Sequence, residues 1–273
     1  MPSSTRAPTT SCSACSPTTI SAHLSPCIEW RGADGGRRFV DRVRAAAGDG
    51  FGQVEFWTTS DKGVDALESA IHEAGVAVTA FVSEPTGRLV DPATHDEFLF
   101  GVERSSRLAH RLNARALIVV TGDERPGVPR LEQHQAVVGA LRRAAPIAAE
   151  AGVSLLLEPL NTRVDHKVYF LDSTAEGLEI IRNVGHPAVR LLYDMYHSVV
   201  MGEEPGDVLT GSGGLVGHVH IADVPGRHEP GTGEIDWPRQ LAALRAAGYS
   251  GSLGLEFMPS RDTVSSLEVN RRL

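Results

Sequence analysis

The sequence predicts an α/β fold, a single (β/α)8 barrel. Three observations carry that reading. Short apolar runs alternate with longer amphipathic segments, the pattern of βαβ units and a parallel sheet. Eight such runs can be counted, the number a closed barrel needs. The chain has 273 residues, close to the roughly 250 such a barrel usually spans. An open doubly wound sheet is the runner-up architecture.

Strands are expected near residues 19–24, 52–57, 76–82, 115–121, 153–158, 189–194, 216–221 and 252–256. Helices are expected near 36–47, 62–74, 93–112, 132–151, 173–184, 203–212 and 236–247. Strand one has the thinnest support, because Ser21-Ala22-His23-Leu24 is mildly strand-like and Pro26 is expected to end it. Strand five, Val153-Ser154-Leu155-Leu156-Leu157, is apolar apart from Ser154, as a strand buried on both faces should be. Gly75, Gly152 and Gly248 each follow an alanine at the end of a helical run, where a left-handed residue stops a helix. Ser173 with Glu176 three residues on reads as a capping box. Long segments at 83–92, 122–130 and 222–235 follow strands three, four and seven, so they open on the face where barrel enzymes build their sites. Residues 1–18 read as a disordered tail ahead of a barrel domain at 19–273.

Composition excludes several classes. Formal net charge is -8, from 34 acidic and 26 basic residues, which argues against a duplex-binding surface. The apolar runs are short, so no membrane span is expected. The cysteines are Cys12, Cys15 and Cys27. Cys12 and Cys15 form a C-x-x-C, but in a Ser/Thr/Pro-rich stretch with no second pair, so no redox or metal role is expected of them. Three cysteines fit a reducing, cytoplasmic setting better than a disulfide framework. Arg6 is the one charge in residues 1–18 and no apolar h-region follows, so no secretory signal is expected. The expected partner is a small-molecule substrate, with no nucleic acid and no membrane; a homo-oligomer stays open.

Chemistry concentrates at the ends of the last four strands. Strand five ends on Glu158, strand six on Asp194 and strand eight on Glu256, while strand seven is His218-Val219-His220-Ile221. In a parallel barrel these ends meet at one mouth. Each residue alone has a plainer reading: a helix-terminus partner for a Glu, an N-cap for Asp194, a hydrogen-bonded core group for a His. Four adjacent strands repeating the pattern favour a site. Buried carboxylates repel one another unless a cation joins them, and three carboxylates with one imidazole suit one divalent ion, Mn2+, Mg2+ or Co2+. His197 lies three residues past Asp194, within reach of a ligand oxygen or a substrate hydroxyl. Arg227, in the loop after strand seven, could clamp a substrate carboxylate or pair with Glu229 or Glu234.

Several stretches carry a resemblance: Glu158-Pro159-Leu160-Asn161, Tyr193-Asp194-Met195-Tyr196-His197, His218-Val219-His220-Ile221-Ala222-Asp223, the run from Arg227 to Glu234, and Gly254-Leu255-Glu256-Phe257-Met258-Pro259. Together they resemble the hydroxypyruvate isomerase family, within the xylose-isomerase-like TIM barrels that also include ketose 3-epimerases and endonuclease IV. The resemblance spans about residues 19 to 260 and is densest after Val153; Val54-Glu55-Phe56-Trp57 is its best early part. It implies metal ligands at Glu158, Asp194, His220 and Glu256, acid/base roles for Glu158 and Glu256, and substrate contacts at His197 and Arg227. The implied reaction moves a proton between adjacent carbons of an α-hydroxycarbonyl compound through a cis-enediolate, with hydroxypyruvate giving tartronate semialdehyde. Hydroxypyruvate isomerases often carry glutamine at the third ligand and ketose epimerases histidine, so His220 keeps a ketose 3-epimerase or a 2-oxo-tetronate isomerase as alternatives. Val168 stands where the family usually has glycine, and Ser198-Val199 where it is often more polar. A nuclease of the endonuclease IV kind needs further histidines and acids on the early strands, and strands one to four are expected to supply few.

Overall fold

Most of the apolar runs become strands within a residue or two of their expected places. The computed structural model describes residues 24–29 and 38–270. The 1–18 tail, with Cys12 and Cys15, and residues 19–23 of expected strand one lie outside the described residues. The strands are β1 (Leu24–Pro26), β2 (Gln53–Val54), β3 (Ala77–Val82), β4 (Ala114–Val119), β5 (Ser154–Leu157), β6 (Val189–Asp194), β7 (Val216–Ile221) and β8 (Leu253–Leu255). They form one eight-stranded sheet in the order β1-β8-β7-β6-β5-β4-β3-β2, parallel throughout. A parallel bridge between Cys27 and Glu55 closes the seam from β1 to β2. There the Glu55 amide donates to Pro26 O at 3.0 Å and the Ile28 amide to Glu55 O at 2.9 Å. The fold is the expected (β/α)8 barrel.

The helices are α1 (Phe39–Gly48), α2 (Val64–Ala74), α3 (His95–Arg111), α4 (Arg130–Glu150), α5 (Thr174–Val184), α6 (Met195–Met201), α7 (Pro205–Val208), α8 (Trp237–Ala246) and α9 (Thr263–Asn270). Gly75, Gly152 and Gly248 have φ of +66°, +70° and +92°, the left-handed stops expected of them. Ser173 Oγ accepts from the Glu176 amide, one half of the expected box. The Glu176 carboxylate turns away to Arg130 and His134.

Three expectations are corrected. Pro26 does not end strand one: among the described residues the strand covers Leu24–Pro26, because a short seam strand can use proline's carbonyl as an acceptor without needing its amide. The helix expected at 203–212 shrinks to α7, started by Pro205 and followed by a left-handed Gly211 at φ +69°. α6 and α9 were not expected; their starts are marked by Asp194 and Asp262, whose side chains accept from the His197 and Ser265 amides.

Most of the core lies between the sheet and its helices. Inside the barrel a small separate plug is formed by Ala80, Ala116, Ile118, Leu156 and Leu192. Side chains alternate in and out along a strand, so Leu156 and Glu158 face the same way, as do Leu192 and Asp194. The plug is therefore the apolar floor on which the polar mouth stands. Among the described residues no helix is long and apolar enough to cross a membrane.

Candidate metal centre

Glu158 directly follows β5, Asp194 ends β6, His220 lies in β7 and Glu256 directly follows β8. The parallel register sets Asp194 beside His220 and His220 beside Gly254. Each of the four can offer one ligand atom within 4.8 Å of the others. They are buried, at 7 %, 3 %, 2 % and 5 % exposure for Glu158, Asp194, His220 and Glu256. His220 Nδ1 is 3.1 Å from Glu256 Oε2, 3.6 Å from Glu158 Oε1 and 4.0 Å from Asp194 Oδ2.

Charge at this spot is strongly perturbed. Burial, aided by neighbouring carboxylates, raises the pKa values of Glu158 and Asp194. Burial also opposes ionisation of Glu256, but the charges of Arg227 and His220 outweigh it and hold that carboxyl well below the usual range. His220 is pushed well above 6.5: burial disfavours its cation, and Glu256 and Glu55 overcome that. Both His220 ring nitrogens are buried without a partner in hydrogen-bond geometry among the described residues. Three converging carboxylates and an imidazole whose nitrogens lack a bonded partner fit a divalent, oxygen-preferring cation.

Arg227 reaches over this group. Its guanidinium is 3.2 Å from Asp194 Oδ2, contacts Glu256 Oε2 and lies 5.0 Å from the centroid of the Tyr196 ring. Neither Glu229 nor Glu234 pairs with it. Glu229 is buried and accepts from the Ser260 amide and hydroxyl and from Ser266 Oγ. Asp223 ties the same loop, accepting from the amides of Val224, Gly231 and Ile235 and from Trp237 Nε1. Arg227 sits at φ +55°, a conformation a non-glycine residue adopts at some cost. Two backbone bonds hold it, one to Asp223 O at 3.1 Å and one from the Met258 amide at 2.7 Å.

His197 lies in the first turn of α6, which Asp194 caps: Asp194 Oδ1 accepts from the His197 amide at 3.1 Å. Asp194 is thus an N-cap and a member of the cluster at once. The Asn161 amide donates to His197 Nδ1 at 3.1 Å, and Asn161 Nδ2 lies 2.6 Å from the same atom. A backbone N–H can only donate, so Nδ1 is an acceptor and the ring proton belongs on Nε2. That edge is 3.6 Å from Asp194 Oδ2 and faces the cluster. Burial and Arg227 push the His197 pKa well down, which keeps the ring neutral.

The structure adds residues the sequence reading did not assign. Trp57 Nε1 donates to Glu256 Oε1 at 2.5 Å. Glu55, 2 % exposed, lies 2.8 Å from His218 Nε2 and 3.5 Å from His220 Nε2. Strand two therefore brings a carboxylate to the site, contrary to the expectation that the early strands contribute little. A charge between the buried Val54 and Phe56, in a strand covered on both faces, was the available signal. Ser198 is buried between Tyr193 and Glu203, whereas Val168 is 63 % exposed.

This barrel and its cluster define a class. The chain belongs to the xylose isomerase-like TIM barrel family, whose sequence model matches residues 43–273. Within it, the chain is related to the hydroxypyruvate isomerase and 2-oxo-tetronate isomerase group. It is 30% identical over 236 residues to the 2-oxo-tetronate isomerase of Cupriavidus necator, covering 84% of this chain and 90% of that protein. It is 29% identical over 236 residues to the hydroxypyruvate isomerase of Escherichia coli, covering 84% and 91%. A solved structure described as an AP endonuclease, family 2, from Brucella melitensis superposes with a TM-score of 0.83 at 28% identity, covering 90% of this chain and 96% of that one.

Proposed function

We propose that this protein is a metal-dependent isomerase that moves a proton between adjacent carbons of a small α-hydroxy ketoacid, with hydroxypyruvate converted to tartronate semialdehyde. The observation that carries the proposal is the convergence of Glu158, Asp194, His220 and Glu256 at one mouth, with Arg227 and His197 directed at it. The names of the Cupriavidus and Escherichia relatives support the substrate class.

Glu158, Asp194, His220 and Glu256 would hold the ion. When bound, it supplies a Lewis acid that polarises the substrate carbonyl and stabilises the negative charge of an enediolate. Glu158 and Glu256 serve as the acid/base pair. A proton leaves C3 of hydroxypyruvate to one carboxylate and another is delivered to C2 by the second, while the hydroxyl proton shifts from O3 to O2. Trp57 fixes Glu256 through Oε1. His197 offers Nε2–H to a substrate oxygen, with Asn161 holding the ring from behind. Arg227 binds the substrate carboxylate, a task its planar fork of donors suits.

A panel of hydroxypyruvate, 2-oxo-tetronates, ketohexoses and an abasic-site oligonucleotide, each with Mn2+ and with Mg2+, tests this. The proposal predicts the ketoacids as best substrates. Preference for a ketohexose would replace it with the epimerase reading, and strand cleavage with the nuclease reading suggested by the name of the Brucella structure.

A further inference from the structure

We infer that Glu55 is a positioning residue that sets which nitrogen of His220 is free to bind the metal; this rests on reading the four-residue cluster as a metal centre. The two ring nitrogens of His220 look in opposite directions. Nδ1 faces Glu158, Asp194 and Glu256, whereas Nε2 faces Glu55 Oε1 at 3.5 Å. A neutral imidazole carries one proton, and a nitrogen that binds a cation must present its lone pair. Ligation through Nδ1 therefore requires the proton on Nε2. The acceptor facing that proton is Glu55 Oε1, a buried oxygen with no partner in hydrogen-bond geometry among the described residues. The other oxygen, Oε2, is 2.8 Å from His218 Nε2. A carboxylate, which accepts at both oxygens, can serve two imidazole N–H groups at once. A metal-bound histidine is ordinarily oriented by such a partner on its far nitrogen.

A second observation shows that the barrel is built around this contact. Gly254 neighbours His220 in the register of β7 and β8. A Cβ at Gly254 would lie 2.2 Å from Glu55 Oε1, 2.5 Å from His220 Cδ2 and 2.9 Å from His218 Nε2. Gly254 is not among the positive-φ residues, so its backbone does not call for glycine. Space does. β8 omits one inward side chain, and Glu55 reaches across from β2 to both histidines through the gap. Glu55, His218 and His220 also form a group able to hold an ion themselves, so a second metal is the competing reading.

The test titrates Mn2+ into metal-stripped wild type and the Asp194→Ala, Glu55→Gln and Glu55→Leu variants, by calorimetry and electron paramagnetic resonance. Melting curves check that each is folded. The 15N resonances of the His220 ring are read in the Mg2+-loaded protein. The wild type should bind one Mn2+ and show Nε2 protonated. Glu55→Leu should weaken Mn2+ by about 10- to 100-fold, the usual effect of losing such a partner. Glu55→Gln should weaken it less, since its amide oxygen can still accept from His220, and should shift the Nε2 resonance. This isosteric variant keeps the test available if leucine unfolds the barrel. Mn2+ affinity within twofold of wild type in both Glu55 variants, with binding lost in Asp194→Ala, would overturn the role of Glu55 alone. Two ions per wild-type chain, one of them lost with Glu55, would overturn it in favour of the second metal. A wild type that takes up no Mn2+ would defeat the metal-centre reading and this inference with it.

Discussion

Replacing Arg227 separates a ketoacid isomerase from a sugar epimerase. The side chain is 11 % exposed and meets Asp194 and Glu256, so its charge acts in a desolvated setting. Removing one partner from such a pair ordinarily costs about 2–4 kcal/mol. For Arg227→Ala acting on hydroxypyruvate this is roughly a 30- to 1,000-fold loss in kcat/KM. The net charge of -8 gives no long-range attraction for an anion, so a local cation has to capture the carboxylate. Arg227→Lys keeps the charge but not the two-pronged geometry, and should act mainly through KM if the clamp binds ground and transition states alike. A neutral ketohexose has no carboxylate to lose and should feel either change much less. Steady-state kinetics of both variants on both substrates is the assay. Equal losses on the two substrates would refute the clamp. Arg227 would then act by ordering Asp194 and Glu256, and the epimerase reading would move ahead.

Other expectations follow from the same geometry. Asn161→Ala removes one of two donors to His197 Nδ1 and should cost about 1 kcal/mol of transition-state binding, roughly a fivefold loss in kcat/KM; unchanged kinetics would mean the backbone amide suffices to hold the ring. In the metal-free protein the raised His220 pKa means the imidazolium favours the fold below 6.5, and that contribution is lost as pH rises through the folded value. Metal must displace this proton, so Mn2+ affinity should climb as pH rises toward the folded His220 value and binding should release protons, seen as a buffer-dependent calorimetric enthalpy. Deleting residues 1–18, which lack apolar periodicity, should leave activity and Tm unchanged; a large fall in either would show that the tail contributes to the barrel or to a neighbouring subunit.

What was legible in the sequence follows physical rules that act locally. Strands three to eight are mostly buried and, apart from residues such as Arg115 and Arg190 and the histidines of β7, mostly apolar, and each of the last four carries its functional group at or near its end, so Glu158, Asp194, His220 and Glu256 can be read in order. Glycine stops at Gly75, Gly152 and Gly248 mark helix ends by conformation alone. The seam was less legible. β1 and β2 are three and two residues long and are completed by a bridge between Cys27 and Glu55, a long-range pairing that no local pattern announces. For Glu55 the local signal is a lone charge between buried Val54 and Phe56, but its partners His218 and His220 lie far along the chain and nothing local names them. Arg227 was placed in the right loop, but its partners were not foreseen. Glu229 and Glu234 are near in sequence, yet Glu229 is taken up by Ser260 and Ser266, and the fold delivers Asp194 and Glu256 instead.

The central claim is that two carboxylates at one metal centre pass protons to and from adjacent carbons. The most direct measurement is proton NMR of hydroxypyruvate turnover in D2O with Mg2+, for the wild type and for Glu158→Gln and Glu256→Gln. Delivery by a second, solvent-exchanged carboxylate predicts tartronate semialdehyde carrying deuterium at C2, with turnover lost in both variants. Full retention of protium at C2, or a glutamine variant as active as wild type, would contradict it.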